Sequence, residues 1–141
     1  MSLKKYKEDF ILMLETGFIA VNQADEDSAL KLFRAAELLN PENILPKVGV
    51  GYLHLHKLEL TQAVRCFESV LDKEPKNEMA KAFLGICMSL MPTQLSKGEK
   101  ILEETAKSKD PMIKKLAHTA VDFVEKFVKT TPGPAAGKRK T

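Results

Sequence analysis

Tryptophan is absent from this chain, and two tyrosines and two cysteines are spread over its 141 residues. Cys66 and Cys87 have no CxxC spacing, so they read as reduced core thiols of a cytosolic protein rather than as a disulfide frame. No run of eighteen apolar residues occurs, which excludes a membrane-spanning helix. The oily stretch at residues 10–14 is preceded by acids and cut by Glu15, which argues against a signal peptide. No segment sustains a period-two alternation, so essentially no sheet is expected. A glycine-rich phosphate loop, a GxSxG serine motif and a Cys/His arrangement with an orienting partner are all missing. His54 and His56 lie about 200° apart round a helix and cannot share a metal as i,i+4 histidines do. His118 is isolated, and all three histidines are expected to be partly exposed or structural. Acid pairs such as Glu103–Glu104 read as solvated helix faces. These absences predict no catalytic role, no cofactor and no metal.

What charge there is sits at one end. The formal net charge is +3, and Lys138, Arg139 and Lys140 carry it in the last four residues. Without them 19 basic residues face 19 acidic ones, so the body is neutral. A nucleic-acid binder carries its excess on a folded face, so no nucleic-acid partner is expected. From Thr130 the composition turns to Pro, Gly and Ala without apolar partners, which cannot offset the entropy of ordering. The expected organisation is a helical domain over residues 1–129 and a disordered basic tail over 130–141.

Within the body, marker residues recur at an offset of thirty-four: Gly17, Gly51 and Gly85; Ala29 and Ala63; Phe33 and Phe67; Pro41 and Pro75. A period of that length is one helical hairpin. Helices are expected at about 4–21, 27–39, 44–56, 60–73, 77–90, 95–108 and 112–128. Asn40-Pro41 and Glu74-Pro75 stop helices, because proline disfavours a helical residue before it. Asp25, Glu26 and Asp27 supply cap candidates, and Asp110-Pro111 reads as an N-cap followed by proline at the first helical position. The glycines, mid-way along the first helix of each hairpin, let the second helix approach. That explains a residue costing about 1 kcal/mol against alanine in a helix interior. Ala29 and Ala63 are the small residues of the second helices, and Phe33 and Phe67 fill the space between hairpins. Met79, Met88, Met91 and Met112 read as core filler, Met79 also as a source of groove plasticity.

These markers resemble the tetratricopeptide repeat, in repeats at residues 10–43, 44–77 and 78–111. The resemblance implies an all-α, right-handed superhelix of three helical hairpins plus a C-terminal capping helix. Met13, Lys47 and Lys81 stand at the family's tryptophan position, and Ala20, His54 and Met88 at its tyrosine position. The third repeat loses register after Met91-Pro92, as if by one inserted residue, leaving Gly98 and Leu102 where alanine and phenylalanine belong. The stripe Ile113, Leu116, Ala117, Ala120, Val124 and Phe127 reads as the buried face of the capping helix.

In the family's geometry the first helices build the concave wall. The positions that fall there are Ile11, Leu14, Phe18 and Val21; Leu45, Val48, Tyr52 and Leu55; and Met79, Ala82, Ile86 and Ser89. Eleven of these twelve are apolar, and the Lys, Asn and Arg used by carboxylate-clamping relatives are absent. An apolar trough of that extent is rarely bare in a soluble protein, and an amphipathic helix suits it. The plainer alternatives are that the seventh helix folds back into the trough, or that a second copy of the chain covers it.

Size, degenerate repeats, an oily wall and the stretch from Ala106 to Ile113 (AKSKDPMI) are similar to bacterial type III secretion chaperones, above all the needle-subunit chaperone. The resemblance implies a cytoplasmic virulence-associated chaperone that shields the amphipathic helix of an exported, self-assembling needle subunit. It also implies a small helical co-chaperone at the N-terminal helices, around Leu3 to Met13. A translocator chaperone of the same system, a general tetratricopeptide adaptor and a self-associating scaffold are the alternatives.

Overall fold

Short polar side chains open the helices. Ser2 Oγ accepts from the Lys5 N–H at 3.1 Å and starts α1, Leu3–Asn22. Asp25 Oδ1 accepts from Ser28 N–H at 3.2 Å before α2, Glu26–Leu39. Asn43 Oδ1 takes the Leu45 N–H at 2.8 Å at the start of α3, Leu45–His56. Next comes α4, Leu60–Lys73, and then α5, Glu78–Ser89, where Asn77 Oδ1 accepts from Ala80 N–H. Pro92–Gln94 forms a 3-10 turn before α6, Leu95–Thr105. Asp110 caps α7, Pro111–Phe123, with proline in its first turn as expected, and a π-turn follows at Val124–Val128. The computed structural model describes residues 2–129, and among them no strand occurs. The protein is all-α, a helical-repeat fold. The tail expected at residues 130–141 lies outside the described residues.

The fold divides into two compact units, Met1–Ala80 and Lys81–Thr141. In the first, α1 pairs with α2 and α3 with α4, while α3 packs on both α1 and α2. Phe33 is the wedge that sets this spacing. A Cβ added at Gly17 would stand 2.6 Å from its ring, and one at Gly49 within 2.5 Å of it. The ring therefore lies between two glycines of successive first helices. Phe67 repeats the contact one hairpin on, 2.7 Å from where a Gly51 Cβ would stand. Ala29, Ala36, Ala63 and Val70 are fully buried beside these rings' helices, as small residues at a close crossing must be.

In the second unit Leu102 takes the phenylalanine role against Gly85, where an added Cβ would meet it at 3.0 Å. Gly98 replaces the expected alanine because its backbone lies on α5, an added Cβ falling 2.5 Å from Ser89 N. The register shift by one residue is thus real and is absorbed by the 3-10 turn. Among the described residues Ser89 Oγ is buried there without a hydrogen-bond partner.

Two expectations need correction. Phe127 is 57% exposed, not on the buried face of the last helix. The π-turn, closed by Lys129 N–H donating to Val124 O at 2.9 Å, adds a residue to the turn. Val128 moves inward in its place while Val124 stays buried. Met112 is exposed rather than core filler, since it sits in the first turn of α7 beyond the stretch that Ile113 and Ala117 bury.

Candidate functional site

On the first unit the expected wall separates into a buried part and an open part. Leu14, Val21 and Val48 are buried, and Leu14 and Val21 belong to one core cluster with Phe10, Phe33 and Leu53. The side-by-side packing of α1 and α3 consumes that flank of the stripe, so these three serve the core and offer nothing to a partner. Phe18, Leu45, Tyr52 and Leu55 stay half-buried, and Ile11 is exposed. Of the remaining wall positions, Met79 is half-buried, Ala82 is fully buried and Ile86 is half-buried.

The open part has defined geometry. The Phe18 ring meets Phe33 edge-on, with centroids 5.2 Å apart, and leans on Tyr52 at 5.5 Å. Tyr52 in turn meets the His56 ring at 4.8 Å. This line of rings runs from the core wedge to the surface along α1 and α3, and edge-to-face contacts of this kind fix each ring's tilt. Tyr52 O–H donates to Asn22 Oδ1 at 2.7 Å, tying the end of α1 to α3, and burial pushes its phenol pKa up. At the other end of the wall Phe10, Ile11, Leu14 and Leu45 floor a hollow of about 300 Å³. Tyr6, Lys7, Asn40 and Asn43 rim it. A surface with an oily floor, fixed rings and a sparse polar rim can hold an amphipathic segment.

The histidines are occupied separately. His54 Nδ1 stands 2.8 Å from Glu59 Oε1, while His56 lies against Tyr52. Lys57 Nζ reaches Glu26 at 2.6 Å and Glu59 at 3.3 Å, which fastens the end of α3 to the start of α2. His118 is exposed. Burial pushes the Cys66 thiol up, away from reactivity, and Cys87 is fully buried.

No protein-family model matches the chain. Over 102 residues, 72% of its length, it is 29% identical to the RNA polymerase-associated protein CTR9 of Caenorhabditis elegans. That relative is a tetratricopeptide-containing protein. The chain spans 9% of its length. The likeness and the hairpins agree on a helical-repeat scaffold.

That scaffold exposes a second apolar surface, which starts within the Leu3 to Met13 stretch where the resemblance implies a co-chaperone and runs on to Ile19. Leu12 is 61% and Ile19 53% exposed on α1, beside exposed Glu8, Glu15 and Thr16. One repeat on, their counterparts Pro46 and Leu53 are buried, and the counterpart of Glu15 is Gly49, which receives Phe33. So α1 presents to solvent the face that α3 buries on the preceding hairpin. Setting the two first helices in register would have found it.

The second unit carries a further apolar hollow of about 250 Å³, formed by Ile86 and Leu90 of α5 with Leu116, Ala120 and Phe123 of α7 and Val124. The seventh helix therefore does stand opposite a wall residue, Ile86, as the plainer alternative held, but it leaves a hollow there instead of filling it. No helix among the described residues is long and apolar enough to cross a membrane.

Proposed function

We propose that this chain is a protein-binding adaptor that takes an amphipathic helix of a partner against its first helices. The observation that carries this is the half-open line of Phe18, Tyr52, Leu45 and Leu55 with exposed Ile11, apolar side chains held in place yet unsealed. Fully covering one Leu- or Phe-sized side chain contributes about 1.5–3 kcal/mol, so several half-open ones suffice for binding after ordering costs. The likeness to a tetratricopeptide-containing protein supports the adaptor reading. The RNA polymerase association in that relative's name is its own, and over 9% of its length no partner is carried across.

In its finer form the reading is a cytoplasmic secretion chaperone without enzymatic activity. It keeps the amphipathic helix of a needle-type subunit from polymerising, and the resemblance of the AKSKDPMI stretch and the degenerate repeats supports this form. The exposed Leu3, Leu12 and Ile19 on α1 then suit a small helical co-chaperone, whose helix would cover α1 as the first hairpin covers α3. Translocator chaperones share the wall but take an extended peptide.

Co-expression with a needle-type subunit should yield a soluble complex. Phe18→Glu and Tyr52→Glu should each abolish it while circular dichroism shows the helices intact. Both variants binding normally would sink the wall as the binding surface. A stable dimer of the isolated chain that partners do not disturb would favour self-association instead.

A further inference from the structure

We infer that the hollow between Ile11 and Leu45 takes the C-terminal turn of the partner helix, so that the partner lies on the wall in one direction only. This rests on the helix-binding reading above and adds which end of the partner sits where. The hollow belongs wholly to the first unit and shares Ile11, Leu14 and Leu45 with the wall, so it continues the proposed surface. The wall also ends there. Leu45 is the first residue of α3, and Asn40 and Asn43 lie in the connection that precedes it.

Hydrogen-bond chemistry at the rim sets the direction. Lys7 can only donate, and it is the one charged side chain among the lining residues. Asn43 has its oxygen engaged: Oδ1 accepts the Leu45 N–H at 2.8 Å, which leaves Nδ2 to donate. Among the described residues neither Lys7 Nζ nor Asn43 Nδ2 meets an acceptor. Asn40 and Tyr6 can serve either way. The body of a helix has bonded its own N–H and C=O groups and brings such a rim nothing. A first turn brings free N–H groups, donors facing donors. A last turn leaves its final carbonyls unsatisfied and carries about half a negative charge, so it matches Lys7 and Asn43 in hydrogen bonding and in sign. An apolar residue of that turn then rests on Phe10, Ile11, Leu14 and Leu45.

The probe is a hydrocarbon-stapled amphipathic helix of about four turns with leucines on one face, amidated at its end and carrying a nitroxide at one terminus or the other. It is titrated into the full chain carrying labelled Ile, Leu and Val methyl groups. A C-terminal nitroxide should broaden Ile11, Leu14 and Leu45 most, and an N-terminal one Leu55. Asn43→Asp keeps an oxygen for the Leu45 N–H but turns the donor into an acceptor. It should weaken binding about threefold or more while the urea midpoint stays in place. Lys7→Glu, at an exposed position, should weaken it at least as much. Equal broadening by both labels, or the reverse pattern, would overturn the direction and leave the helix-binding reading standing. So would full binding by the folded Asn43→Asp and Lys7→Glu chains. Broadening that requires the free acid in place of the amide would put a carboxylate in the hollow and overturn the helix end. Shifts nowhere along the wall would overturn both readings.

Discussion

Ala24 and Leu58, one repeat apart, hold the same left-handed backbone, each at φ 59°. Each follows a first helix whose end is closed the same way. Asp25 N–H reaches back to Ala20 O at 2.8 Å, and Glu59 N–H to His54 O at 2.9 Å. This is the six-to-one closure of a Schellman ending, in which glycine is the usual occupant of the left-handed position. The third member of the series is Pro92. Proline's ring fixes φ near about −65°, so the left-handed turn is closed to it. The chain builds a 3-10 turn over Pro92–Gln94 instead, with Gln94 N–H on Met91 O, and α6 starts at Leu95, one residue later than α2 and α4 imply. The slipped markers Gly98 and Leu102 are the consequence of one proline.

Leu58→Gly should therefore stabilise the protein. A left-handed non-glycine residue costs about 1–2 kcal/mol, and Leu58 is 70% exposed, so little burial is lost with its side chain. After the added freedom of glycine in the unfolded chain, about 1 kcal/mol should remain. A higher urea midpoint with unchanged slope is the expected reading, and an unchanged or lower midpoint would show that the turn is not strained.

Gly49 and Phe33 should prove strongly coupled. Gly49→Ala drives a methyl into the ring, which is fully buried and has nowhere to turn, and overpacking of this kind costs about 1–3 kcal/mol. In a Phe33→Leu background the same change should cost far less, because the smaller side chain vacates the space. A double-mutant cycle reads this directly, and additive effects would contradict the wedge.

How much of this was legible beforehand follows from what each residue reports. Glycine, proline and capping residues act locally, so the repeat, the helix ends and the roles of Gly17, Gly51 and Gly85 could be read from spacing. Spacing also puts Leu102 at the phenylalanine position, and the structure sets it against Gly85. The wall was harder. Periodicity puts Leu14, Phe18 and Val48 on one stripe, but which members remain open depends on how closely α1 and α3 approach, and that distance is set by Phe33 meeting Gly49. Nor does a 3.6-residue period foresee a π-turn, so Phe127 was placed inside when the extra residue turns it out.

Acid should weaken the protein partly through Glu59. The His54 ring, first, and then Lys57 hold its carboxyl below the ordinary 4.5. The folded chain thus binds fewer protons there than the unfolded chain. Its contribution is fully present above about 4.5 and lost as pH falls through the lower folded value. Glu59→Gln should lower the urea midpoint at neutral pH and flatten the decline across this acid range. Parallel declines in the two proteins would remove Glu59 from the account.

Ile19 and Leu53 occupy the same position of successive repeats, and lysine should affect them in opposite ways. Leu53 is 3% exposed within the core cluster of the first unit, so Leu53→Lys buries an unpaired ammonium and should unfold that unit. Ile19 is more than half exposed, so Ile19→Lys should change stability by no more than about 0.5 kcal/mol. The informative measurement is made on the complex. If the outer face of α1 takes a helical partner as proposed, Ile19→Lys should leave the isolated chain's urea midpoint in place while weakening that partner's binding. Full retention of the partner by a folded Ile19→Lys chain would return this face to solvent and move the co-chaperone elsewhere.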